Sequence, residues 1–147
     1  ERTPHNDPSL TGRFCNLTHN TSRSDMTYAV LEGVAFAFKD GLNIMQDAGV
    51  NLHSISVIGG GARSQYWRQL ISDVLGLEIA YRLGGEVGPA LGAAKLAQIN
   101  IENTKELAEL CPAPPINEVH RPDENRHQLL MERYKTFKQL ASQPQSN

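Results

Sequence analysis

Three consecutive glycines, Gly59-Gly60-Gly61, followed by Ala62, are the residues of this sequence best suited to chemistry. They close a short β-branched run, Ile55, Val57 and Ile58, and precede a segment of helical periodicity. Glycine adopts backbone dihedrals closed to other residues and places no side chain between the main chain and a ligand. The helix expected beyond the glycines presents unpaired amides and about half a positive charge at its start. Together these features suit an anion, most often a phosphate. A plain tight corner fits the same residues, so both readings stand at this level. The pattern is neither GxGxxG nor GxxxxGK[ST]. Without GxGxxG, the glycines do not read as a dinucleotide-binding turn.

Other reactive residue types lack the spacing that chemistry requires. The five histidines, His5, His19, His53, His120 and His127, form no HxxxH or HExxH pattern, and no cysteine accompanies them at zinc-like intervals. Ser64 does not sit in a GxSxG elbow. His5 and Asp7 read as solvated loop polarity, Tyr66 and Trp67 as core or cleft wall, and Arg63 as an exposed charge. The two cysteines, Cys15 and Cys111, are far apart and read as reduced thiols of a cytoplasmic protein. The glycosylation-like triplets Asn16-Leu17-Thr18 and Asn20-Thr21-Ser22 read as loop composition.

The elements that must position the glycine turn follow from periodicity. Residues 25–48 read as a helix with Met26, Val30, Val34, Ala37, Phe38, Met45 and Ala48 on one face. Leu31, Ala35 and Leu42 widen that face, so the helix is expected to be buried on two sides. Ser24 is the expected N-cap, and Gly49 the stop. Gly33, Ala37 and Gly41 form a row four apart, where each interior glycine costs about 1 kcal/mol against alanine. Close approach by a neighbouring element would offset that cost. After the glycine turn a helix is expected over 64–75, with Tyr66, Trp67, Leu70, Ile71, Val74 and Leu75 inward, then a strand over 78–83. A third helix runs from near Gly88 to about Asn100, with Pro89 in its first turn. Strand, helix, strand, helix at this spacing is a crossover unit, so the two strands should be parallel and the class α/β.

The flanks are less regular. Residues 1–12 read as a loop or arm, and Phe14-Cys15-Asn16-Leu17 as a possible strand. A short helix near 104–110 precedes the break at Cys111-Pro112-Ala113-Pro114-Pro115. Beyond it, Asp123 caps a terminal helix with Leu130, Tyr134, Phe137 and Ala141 on one face. Residues 1–141 read as part of one domain and 142–147 as a flexible tail. The opening Glu1-Arg2-Thr3-Pro4 reads as the interior of a longer protein.

Composition narrows the function classes. The 147 residues are 39% hydrophobic and 20% charged, the balance of a globular chain. Fourteen basic against sixteen acidic side chains give a net charge of -2, which supplies no reason to expect nucleic acid or a membrane as partner. A domain cut from a larger sheet would leave an edge and an apolar face bare, so self-association, as a homodimer or more, is expected.

Several segments in order resemble one family. Glu1-Arg2-Thr3-Pro4-His5 is similar to a stretch of bacterial xylulokinases, within the wider family that includes glycerol, gluconate and ribulose kinases. Gly12 to Leu17 and Asp25 to Gly33 resemble that family's second signature, with Asn16 where the family usually has glycine. Ile58 to Ser64, with Trp67-Arg68-Gln69, resembles its adenosine-binding turn, and Gly88 to Ala94 its later small-residue helix. The resemblance implies a partial actin-like (ribonuclease H-like) ATPase domain and transfer of the ATP γ-phosphate to a sugar hydroxyl, with Mg2+ on the nucleotide. It places the nucleotide against Gly59, Gly60, Gly61 and Ala62, with Gln65 reaching toward the adenosine. It implies that the catalytic base and most of the sugar pocket lie outside this chain, so no residue here is assigned as catalytic. The chain alone is then expected to be inactive. Another sugar or polyol kinase, or a non-catalytic actin-like nucleotide-binding module, remains the alternative.

Overall fold

A computed structural model describes residues 5–8, 10–52, 55–101 and 107–141. The Glu1–Pro4 stretch, His53, the start of the helix expected at 104 and the tail at 142–147 lie outside the described residues.

Helix α1 spans Arg23–Asp47. It begins two residues earlier than periodicity predicts, because Ser22 rather than Ser24 caps it. Ser22 Oγ accepts from the Asp25 amide at 3.1 Å, and Asp25 Oδ2 accepts from the Ser22 amide at 2.9 Å. This reciprocal box satisfies two backbone donors at the helix start. The buried face carries Glu32, Ala35, Phe36, Asp40 and Leu42. Burial was expected on two sides: Ala35 and Leu42 are buried as expected, but Val30, Val34, Phe38 and Met45 of the first face are exposed. Apolar residues wrap α1 on two sides; among the described residues the Val30 side meets little beyond the Trp67 ring, 6.3 Å from that of Phe38. The close approach expected along Gly33 and Gly41 is likewise not made, since a Cβ at either would meet no atom within 4 Å.

The crossover unit forms as predicted. Strand β1 (Ile55–Ser56), helix α2 (Gln65–Leu75) and strand β2 (Ile79–Arg82) follow in order, and β1 pairs parallel to β2 with Ile55 opposite Ile79. Strand β1 is shorter than the β-branched run suggests. Val57 and Ile58 leave the ladder so that Gly59, at φ 92°, can turn the chain. Helix α3 (Pro89–Ile101) and the single turn α4 (Leu107–Leu110) come next. No residue of α3 is buried.

Strand β3 (Ile116–His120) was not foreseen in the sequence. It pairs antiparallel to β2, with Ile79 opposite His120 and Ala80 opposite Val119, giving a sheet of order β1-β2-β3. Helix α5 (Glu124–Ala141) starts where Asp123 Oδ1 accepts from the Arg126 amide at 2.9 Å, as the capping residue predicts.

The core is organised around α2. One cluster joins Ala35 and Phe36 of α1 to Leu70 and Val74 of α2 and to Leu130 and Tyr134 of α5. A second joins Leu42, Ile71, Leu75 and Ile79 on the side of the sheet. Burying each such leucine, isoleucine or valine contributes about 2 kcal/mol. Tyr66, expected inward, is half exposed, because it sits in the first turn of α2 beyond both clusters. Phe14 and Leu17 are exposed and form no strand. Between them Asn16 adopts φ 59°, the left-handed conformation that asparagine tolerates better than most residues.

Candidate functional site

The glycine segment does not run straight into α2. Residues Gly60–Arg63 form a 3-10 turn, and α2 starts only after Ser64. Ser64 Oγ accepts from the Trp67 amide at 3.2 Å, so one of the orphan amides expected at the start of α2 is satisfied within the chain. The amides of Gly60 and Gly61 open the 3-10 turn, where helical geometry offers them no acceptor. Those two groups are what the turn can present to an anion.

The turn is held on both flanks. Gly59 donates its amide to the Gly85 carbonyl at 2.8 Å, tying the end of the β1 segment to the loop after β2. Inside the turn Ala62 N–H bonds the Gly59 carbonyl at 3.0 Å, and Ser64 N–H bonds the Gly61 carbonyl at 3.1 Å. A Cβ at Gly59 or Gly60 would meet nothing within 4 Å, so the space over these residues is open. At Gly61 it would meet the Trp67 ring at 3.4 Å, which makes the indole edge one wall.

Of the five residues assigned to the nucleotide from the sequence, four share this open region. Gly60, Gly61 and Gln65 are exposed, and Gly59 is partly so. Ala62 is different: it is fully buried and packs beneath the turn, so its side chain supports the backbone rather than lining a cleft. Gln65 Nε2 donates to Glu118 Oε1 at 3.1 Å.

Beneath the turn lies a polar network that sequence reasoning did not single out. Arg68 is 4% exposed, yet its guanidinium is fully engaged. Nη1 donates to the Ala62 carbonyl at 2.5 Å, Nε to His120 Nε2 at 2.8 Å, and Nη2 to Glu118 Oε2. Its plane covers the Tyr81 ring at 4.2 Å. Arginine has no acceptor, so His120 Nε2 must accept, which assigns the ring hydrogen to Nδ1, 3.3 Å from Gln69 Oε1. Gln69 Nε2 then donates to Asp73 Oδ1 at 2.8 Å, and the Asp123 amide donates to the same oxygen at 2.9 Å. Asp73 Oδ2 accepts no hydrogen bond, but Arg126 Nη1 stands 3.2 Å from it as an ionic partner. The sequence signals for this network are an arginine within the apolar periodicity of α2 and the resemblance that includes Arg68 and Gln69. Its acceptors on β3 carry no signal at all.

Elsewhere, Glu32 is held toward its protonated form by burial, an effect opposed by Arg133, whose Nη1 lies 2.9 Å from Glu32 Oε1. Among the described residues, no group of three or more His, Cys, Asp or Glu side chains is arranged to hold a metal ion. Nor is any helix among the described residues long and apolar enough to cross a membrane.

Residues 1–101 match the model of the FGGY family of carbohydrate kinases, C-terminal domain. The chain belongs to the FGGY family. The xylulose kinase of Escherichia coli K12 is 47% identical over 143 residues, which cover 97% of this chain and 30% of that protein. The xylulose kinase of Staphylococcus epidermidis RP62A is 35% identical over 144 residues, again 97% of this chain and 29% of the relative. A crystal structure of a xylulose kinase from Brucella ovis superimposes with a TM-score of 0.81 at 37% identity, covering 93% of this chain and 28% of that one. The chain thus spans under a third of the length of these relatives. For this FGGY chain, the expected α/β class and actin-like ATPase architecture hold, with a sheet that is parallel at β1-β2 and antiparallel at β2-β3.

Proposed function

We propose that this chain is the carboxy-terminal, nucleotide-holding portion of an ATP-dependent xylulose kinase, whose whole form transfers the ATP γ-phosphate to a hydroxyl of D-xylulose. The observation that carries the reading is the open space over Gly59 and Gly60, with the Gly60 and Gly61 amides at the start of the 3-10 turn, in a chain of the FGGY family. The sugar is supported by the xylulose kinase relatives, which match across 97% of the chain, whereas a glycerol kinase from Pediococcus pentosaceus matches across 73%. Gly60 and Gly61 donate to the phosphates, Gly59 and Ala62 shape and back the turn, and Gln65 faces the nucleoside. Mg2+ would be held by the nucleotide phosphates, and no residue of this chain is assigned to it.

Phosphoryl transfer depends on positioning and charge stabilisation by several elements at once. A single glycine turn does not supply them, so the 147-residue chain binds nucleotide weakly and does not turn it over. The sugar reaches the site through a part of the parent that this chain does not contain. The other partner is a second copy of the chain, met through the bare apolar face of α1. The reduced state of Cys15 and Cys111, both free, suits a cytoplasmic setting.

The test is a titration of the isotopically labelled chain with ADP, followed by amide chemical shifts. The largest changes are expected at Gly60 and Gly61. Changes concentrated on another face, or none, would sink the nucleotide assignment. A coupled ADP-release assay with D-xylulose should read background, and normal turnover would overturn the claim of an inactive portion.

A further inference from the structure

We infer that Glu118 and Arg68 are positioning residues of the nucleotide site, and that β3 is therefore part of that site although it lies beyond the residues 1–101 matched by the family model. The inference rests on the nucleotide reading above.

The geometry begins with one carboxylate serving two donors. Glu118 Oε2 accepts from Arg68 Nη2, and Oε1 accepts from Gln65 Nε2 at 3.1 Å. Arg68 in turn holds the Ala62 carbonyl through Nη1 at 2.5 Å. That carbonyl belongs to the 3-10 turn, so a chain of two hydrogen bonds runs from a strand side chain to the backbone that carries the Gly60 and Gly61 amides. Arg68 cannot drift, because His120 accepts from its Nε at 2.8 Å and the Tyr81 ring lies 4.2 Å under its plane.

The same carboxylate decides what Gln65 offers. With one Nε2 hydrogen bonded to Glu118, the amide is oriented and keeps its carbonyl Oε1, an acceptor, and one further N–H. A nucleoside carries donors that suit it, the ribose hydroxyls and the amino group of adenine. Without Glu118 nothing holds the amide in that orientation, and rotation would turn its NH2 toward the adenine amino group, donor against donor.

Stability alone gives a poor account of this pair. Burying an arginine carries a desolvation cost that its attraction to a carboxylate, here about a third exposed, often only balances, and apolar packing serves as well. Joining α2 to β3 would not require the arginine to reach Ala62 or the glutamate to reach Gln65. Both contacts end on the residues assigned to the nucleotide.

The experiment compares the 147-residue wild type with Glu118→Ala, Glu118→Gln and a control at the exposed neighbour, Asn117→Ala. Two quantities are read for each: amide hydrogen exchange without ligand, and ADP affinity from the Gly60 and Gly61 shifts. Losing hydrogen bonds to a charged group should speed exchange at Ala62 and Ser64 about tenfold and weaken ADP binding about tenfold in Glu118→Ala. Exchange at Leu70 and Val74 should stay at the wild-type rate. Glu118→Gln keeps one acceptor and should fall between, and Asn117→Ala should match wild type. If Glu118→Ala does not fold, Glu118→Gln supplies the same comparison. Unchanged turn exchange and affinity overturn the inference, as does faster exchange at Leu70 and Val74 to the same degree, which marks a general folding role. If the turn responds to Glu118→Ala while wild type shows no ADP shift at Gly60 and Gly61, the nucleotide reading fails and the mechanical link stands by itself.

Discussion

The hydroxyl of Tyr134 on α5 donates to the carboxylate of Asp40 on α1, joining side chains 94 positions apart. Asn43 Nδ2 donates to the same hydroxyl at 3.1 Å, and His5 Nε2 stands 3.9 Å from Asp40 Oδ2. Both ends of the bond are buried. Burial, then the Asp40 hydrogen bond and charge, push the Tyr134 phenol above its ordinary range. A raised folded-state value means the contribution is whole below the unfolded value of about 10 and is lost as pH climbs past it. Tyr134→Phe leaves Asp40 without its partner and should cost about 1–3 kcal/mol at neutral pH. Urea midpoints should show the gap between the two proteins narrowing above pH ~10; a gap independent of pH would contradict this account.

The start of α1 gives a second expectation, with the opposite pH sign. Ser22→Ala removes the cap and should destabilise the chain by about 1 kcal/mol. The Ser22 side-chain and backbone hydrogen bonds hold the Asp25 carboxyl below its usual value. A depressed folded-state value means the contribution is present above the unfolded value, 3.8, and is lost as pH falls through the folded one. Thermal melts of wild type and Ser22→Ala should therefore differ at pH 7, and the gap should narrow in strong acid as the part carried by the Asp25 carboxylate is lost.

What the sequence conveyed was the local part of the fold. The β-branched run at Ile55, the glycines at 59–61 and the apolar stripe of α2 each carry their own signal within a few residues, and the crossover they imply is present. The Asp123 cap was legible for the same reason. Strand β3 was not, because Ile116–His120 is short, follows three prolines and is held by pairing with β2 rather than by its own pattern. The Arg68 network escaped with it, since its acceptors Glu118 and His120 lie 50 and 52 positions away. On α1 the apolar pattern was read correctly, but burial was expected on two sides and this chain covers mainly the side that carries Ala35, Phe36 and Leu42. A helix apolar on two faces does not say which face its own chain covers.

Two glycines should respond in opposite directions to the same substitution. Gly76 ends α2 at φ 71°, and a Cβ there would lie 2.7 Å from His127 Cε1. The ring has little room to yield, because its Nδ1 is 2.7 Å from the Asp73 carbonyl. Gly76→Ala should cost about 2 kcal/mol from the left-handed backbone alone. Gly33 is helical and open, so Gly33→Ala should gain up to about 1 kcal/mol. Urea denaturation of the dilute proteins measures both, and a loss at Gly33 would show that something does pack against it.

The bare side of α1 yields the last expectation. Val30, Val34, Phe38 and Met45 form an exposed apolar strip, and the open positions at Gly33 and Gly41 would let another helix come close. A contiguous strip of this kind on a chain at near-neutral net charge favours association. We expect light scattering to find the chain as a dimer or larger at high concentration. Val34→Glu places a charge in the middle of the strip without touching the clusters around α2, and should shift the chain to monomer while leaving its melting temperature close to wild type. A wild-type monomer at the highest concentration attainable would remove the second copy as a partner. The strip would then have no occupant within reach of this chain.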